Sequence, residues 1–85
     1  MDIEKEFEEA SVRSKQLPSQ SNENLLKLYS LFKQAKEGDV NTDLPSNPFD
    51  FVGKAKYNAW ATLKGTSKEK AMNDYIDLVK MLEGK

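Results

Sequence analysis

The chain has 85 residues, of which 38% are apolar and 32% charged, with a formal net charge of −1. That length suits one folded domain, expected to span residues 1–85, and the composition is too apolar for a disordered tail. There is no cysteine and no histidine, which excludes disulfides, the usual zinc sites and the Ser-His or Cys-His nucleophile pairs.

Ile3, Phe7, Ala10, Ser14 and Leu17 recur at helical spacing, which predicts a first helix over about Ile3 to Lys15, stopped by Pro18. A second helix is expected from about Glu23 to Glu37, with Leu25, Leu28, Tyr29, Phe32 and Ala35 as its apolar stripe. Gly38 suits the left-handed position that ends many helices. Leu26 and Leu31 fall off the stripe, so either this helix is buried on two sides or Leu26 lines a ligand surface.

Asp39 to Asp50 then reads as a long connection holding Pro45 and Pro48, with Val40, Leu44 and Phe49 as apolar anchors. Loops of about a dozen residues are uncommon in compact domains and are often functional. A connection this long also permits parallel neighbours in a helix bundle. A third helix is expected over Val52 to Lys64, with Lys56, Trp60 and Leu63 on one face and Gly65 at its end. Thr66-Ser67-Lys68-Glu69 reads as a capping box with Thr66 as the cap, opening a fourth helix that runs to about Leu82. Its stripe is Ala71, Tyr75, Leu78 and Leu82, broadened by Met72, Ile76 and Val79. No segment alternates with period two, so the expected class is all-α with four helices.

The near-zero net charge conceals an asymmetry. Residues 1–9 hold Asp2, Glu4, Glu6, Glu8 and Glu9 against Lys5, while residues 53–70 hold Lys54, Lys56, Lys64, Lys68 and Lys70 against Glu69. The first run suits a helix N-terminus, where the dipole favours acids. The second reads either as a solvated face or as a local site for an anion, without the bulk positive charge of a nucleic-acid binder. The charged N-terminus lacks the apolar run of a signal peptide, and no stretch approaches the roughly 18 apolar residues of a membrane span. The expectation is a cytoplasmic monomer with no stable membrane insertion, no nucleic-acid partner and no metal or other cofactor.

Tyr29 and Lys33 stand one helical turn apart, a phenol and an ammonium that together suit a phosphate beside a base. Lys56 and Trp60 share the same spacing, which also fits a lysine stem covering an aromatic face. Tyr75 lies within an apolar stripe, where a core tyrosine needs a partner for its hydroxyl. Spacing alone does not connect these positions across helices.

Tyr29-Ser30-Leu31-Phe32-Lys33-Gln34-Ala35, Gly38-Asp39-Val40-Asn41-Thr42, Gly53-Lys54-Ala55-Lys56-Tyr57-Asn58-Ala59-Trp60 and Leu63-Lys64-Gly65-Thr66-Ser67-Lys68-Glu69 follow one another, with Ala71-Met72 and Tyr75-Ile76 after them. In order and spacing these blocks resemble the acyl-CoA-binding protein family, and the likeness covers essentially the whole chain. The resemblance implies a four-helix bundle of up-down-down-up topology that binds one medium- to long-chain fatty acyl-CoA and acts as a carrier and pool-former, not as an enzyme. By motif match, Tyr29 and Lys33 would hold the adenine-ribose end and its 3′-phosphate, with Lys56 as a second cation and the Tyr75 hydroxyl close by. Lys15 would lie near the pantetheine and diphosphate. Leu25, Leu26 and Phe32 would border the acyl channel, with Ala10 and Ala55 small enough to let the chain pass. Val52 and Leu44 stand where the family often carries cations, and Phe32 and Tyr57 where it often carries Tyr and Trp. An interaction module presenting a helical surface and a thioester hydrolase are the competing readings. The second lacks the His and Cys such chemistry usually employs.

Overall fold

In the computed structural model, which describes residues 2–84, each helix begins at a side chain that satisfies its free N–H groups. Met1 and Lys85, the ends of the expected unit, lie outside the described residues. Helix α1, Ile3–Ser14, is capped by Asp2, whose carboxylate accepts from Glu4 N at 3.1 Å and Lys5 N at 3.3 Å. Helix α2, Asn22–Glu37, is capped by Ser21, which accepts from Asn24 N at 3.1 Å. Helix α3, Phe51–Ala61, is capped by Asp50, which accepts from Gly53 N at 2.9 Å. Helix α4, Lys68–Glu83, is capped by Ser67, which accepts from Lys70 N at 3.1 Å.

Two expectations are corrected here. The cap of α4 is Ser67, not Thr66, because the Thr66 carbonyl is engaged elsewhere, accepting from Gln34 Nε2 at 2.7 Å. Helix α3 ends at Ala61 and not at Lys64, since the chain tightens into turns in which Leu63 N and Lys64 N reach back three residues to Trp60 O and Ala61 O. Gly38 has positive φ, but its ψ of −149° places it in the extended region open essentially to glycine alone, not in the left-handed helical one.

The four helices form a bundle of up-down-down-up topology, and no strand occurs among the described residues. Helix α4 packs on both α1 and α2, and α3 packs on α2. The core is built from Phe7 and Ala10 of α1, Leu28 and Ala35 of α2, and Ala71, Tyr75, Ile76, Val79 and Leu82 of α4. Phe7 is its hub, its ring 5.1 Å from Tyr75 and 5.5 Å from Phe32 between centroids. Helix α2 is buried on two sides, as the off-stripe leucines had allowed. Leu31 packs against the core, and Ser30 and Gln34 are enclosed.

Helix α3 contributes Trp60 as its buried residue, and Trp60 is not part of that core cluster. Its indole Nε1 donates to Gly38 O at 2.9 Å. The same corner of the chain is held by Gln34, whose Nε2 donates both to Asp39 Oδ1 at 3.0 Å and to Thr66 O. Gly65 N donates to the same Asp39 oxygen at 2.9 Å. The end of α2, the start of the long connection, the end of α3 and the α3–α4 turn therefore meet in one hydrogen-bonded clamp.

Candidate functional site

Two clefts, each of about 250 Å³, meet at Tyr29. The first lies between α2 and α3 beneath the long connection. It is walled by Tyr29 and Lys33, by Thr42, Asp43 and Pro45, and by Gly53, Lys56, Tyr57 and Trp60. The second lies between α1, α2 and α4 and is lined by Ser11, Ser14, Lys15, Leu28, Tyr29, Phe32 and Tyr75. Two further depressions, one around Glu4, Glu8, Lys36 and Lys68 and one around Glu6, Glu9, Arg13 and Lys80, each bring two glutamates with their cations. The former also touches Phe7, a core ring only 2% exposed, and the latter has no aromatic residue in its lining.

The two lysines of the first cleft are placed crosswise. Lys56 of α3 holds its Nζ 5.2 Å from the centre of the Tyr29 ring of α2. Lys33 of α2 holds its Nζ 4.9 Å from the centre of the Trp60 ring of α3. The spacing had suggested that Lys56 covers Trp60 one turn along its own helix. Packing α3 on α2 exchanges the partners instead, so each ammonium rests on the other helix's aromatic face. The result is two cations and two rings around one opening. Gly53 leaves room for the α3 cap, since a Cβ there would stand 2.3 Å from an Asp50 carboxylate oxygen.

Lys33 also forms an ion pair with Glu37, whose other oxygen accepts from Asn41 Nδ2 at 3.4 Å. The hydrogen bond from Lys33 is the main reason that the Glu37 carboxyl titrates below its ordinary range. The Asp39 carboxyl is likewise lowered, first by the Gly65 N–H and then by the Gln34 amide. Burial raises the Tyr75 phenol, whose hydroxyl donates to Ser14 Oγ at 2.9 Å.

Of the residues singled out in the sequence, Tyr29, Lys33 and Lys56 come together in the first cleft. Tyr75 and Lys15 do not join them: they line the second cleft with Phe32. Ala10 is fully enclosed in the core, Leu25 is half-exposed at 51%, and Leu26 and Ala55 are partly buried. None of these four lines either cleft. The sequence reading missed Gln34, Asp39 and Glu37. The available signal for Gln34 was its place three residues after Leu31 on the second buried side of α2, where a polar residue needs partners. Among the described residues no cluster of three or more His, Cys, Asp or Glu side chains could hold a metal ion.

An all-α bundle with a cationic, aromatic cleft opening beside an apolar one defines a binding protein for an amphiphilic anion. Residues 4–79 match the family model described as acyl CoA binding protein, and the chain belongs to the acyl-CoA-binding protein family, a family of ligand-binding proteins and not of enzymes. It is 49% identical over 83 residues to the acyl-CoA-binding protein of Fritillaria agrestis, covering 96% of this chain and 94% of that one. Acyl-CoA-binding domain-containing protein 1 of Oryza sativa subsp. japonica is also 49% identical over 83 residues, covering 96% of this chain and 90% of its own. The crystal structure of Oryza sativa acyl-CoA-binding protein 2 superposes with a TM-score of 0.93 at 44% identity, covering 98% of this chain and 92% of that one.

Proposed function

We propose that this chain binds one medium- to long-chain fatty acyl-CoA across its two clefts and serves as a cytoplasmic carrier and pool-former for such esters, as a monomer. The observation that carries the reading is the position of Tyr29 in the wall of both clefts. A ligand with an aromatic, phosphorylated head and an apolar tail can then span them. In the first cleft Lys33 and Lys56 supply charge-assisted bonds to the 3′-phosphate, and the ring of Tyr29 offers a plane to the adenine. In the second, Lys15 with Ser11 and Ser14 faces the pantetheine and diphosphate, and Leu28 and Phe32 meet the start of the acyl chain. The half-exposed Leu25 and partly buried Leu26 and Ala55 cover the remainder of that chain.

Each methylene removed from water contributes about 0.8 kcal/mol, so the tail supplies much of the affinity and the phosphates supply the selectivity. A free fatty acid forgoes the phosphate contacts, and free CoA forgoes the burial of the tail. Calorimetric titration is expected to show palmitoyl-CoA binding far more tightly than either palmitate or CoA. Equal affinity for palmitate and palmitoyl-CoA would refute the reading.

A further inference from the structure

We infer that Glu37 is a built-in competitor of the ligand phosphate for Lys33, and so a residue that sets how strongly this chain prefers phosphorylated ligands. The inference rests on the reading of Lys33 as a phosphate-binding cation. Lys33 reaches two partners in this structure, the Trp60 ring and the Glu37 carboxylate. The carboxylate takes the place on the ammonium that a phosphate oxygen would take, and Asn41 holds its other oxygen. The pair is only partly sheltered, its side chains 26% and 37% exposed, so an incoming anion can reach it.

Helix stability does not account for the arrangement. Glu37 is the last residue of α2, where the helix dipole disfavours an acid. The pair also runs from base to acid along the helix, the weaker of the two orders; Glu23 and Lys27 of the same helix show the stronger one. An anion held in so unfavourable a place gives way readily to a dianionic phosphate, but the ligand must first break its pair with Lys33. Bound ligand therefore gains less from Lys33 than an unpaired lysine would give.

The test is a double-mutant cycle of Lys33→Ala and Glu37→Gln, read by calorimetry with palmitoyl-CoA at low and high salt. Glu37→Gln preserves the side chain's length and removes its charge. It is expected to tighten binding about two- to fivefold, the factor corresponding to a partly exposed ion pair. That gain should disappear in the Lys33→Ala background and shrink at high salt, because screening weakens the competing charge. If Lys33→Ala weakens binding while Glu37→Gln leaves it unchanged or weaker, the competition is refuted and Lys33 retains its phosphate. A Lys33→Ala variant that binds as tightly as the parent overturns both.

Discussion

Gln34 joins α2 to the start of the long connection and to the α3–α4 turn, and replacing it measures what that clamp contributes. Its side chain is fully buried, its Nε2 donates to a carboxylate and to a backbone carbonyl, and its Oε1 has no protein partner. Gln34→Leu keeps most of the volume and removes both bonds. Leaving the Thr66 carbonyl without its donor costs about 1–3 kcal/mol, and losing the bond to the solvent-exposed Asp39 carboxylate adds to that. Against this, leucine removes an unpartnered oxygen from the interior, which offsets about 1–2 kcal/mol. The net expectation is a loss of about 1–2 kcal/mol for Gln34→Leu. For Gln34→Ala the unpaired carbonyl is joined by a cavity, and the loss rises to about 3–4 kcal/mol. For a domain of this size 1 kcal/mol lowers the melting temperature by roughly 4–8 °C. Urea denaturation followed by circular dichroism gives the total. The fluorescence of the single tryptophan, Trp60, reports the α3 attachment itself. A Gln34→Leu protein as stable as its parent, with Trp60 emission unchanged, would show that the clamp contributes nothing.

Two further outcomes follow from the same corner. The Asp39 carboxyl is lowered in the folded chain, so it stabilises the fold above its unfolded pKa and that contribution is lost as pH falls through the folded value. Acid titration of Asp39→Asn should therefore show a flatter loss of stability below the ordinary carboxylate range than the parent shows, and parallel curves would refute the assignment. Gly38→Ala is expected to cost about 1–3 kcal/mol from backbone strain alone, since φ is +81° and the nearest atom to an added Cβ is the flexible Lys68 Cε at 3.5 Å. A melting temperature equal to the parent's would show that this corner can relax.

Helices were legible in the sequence because each carries an apolar stripe and a stop. Ile3, Phe7 and Ala10, and Ala71, Tyr75 and Leu82, pack together as their spacing implied. Helix ends were less legible where two residues compete for one role. Thr66 and Ser67 are both good caps, and only the Gln34 amide at the Thr66 carbonyl decides between them. The site was legible in part. Spacing within a helix pairs Tyr29 with Lys33 and Lys56 with Trp60. It carries no information about which face of α3 meets α2, and that packing is what exchanges the cations and rings crosswise. Glu37 and Asp39 looked like ordinary surface acids beside a glycine, and their partners come from a helical turn away and from the α3–α4 turn.

The attachment of α3 has a consequence for binding. Helices α1, α2 and α4 share the apolar core, whereas α3 is fastened to α2 by one buried tryptophan, the clamp at Gly38 and Asp39, and two cation–ring contacts. Local openings draw on the least buried elements first, so this helix is the one expected to loosen before the rest. The first cleft is formed by the same α2–α3 junction. A ligand seated there contacts both helices and therefore stabilises the junction as well as itself. Loosening the junction works in the opposite direction: where α3 must first dock, the apparent Kd rises as the reciprocal of the fraction of time the helix is docked. The tightness of the cleft and the weakness of the α3 anchorage are thus a single equilibrium. Substitutions at Gln34 or Gly38, neither of which lines the first cleft, reach the ligand through it.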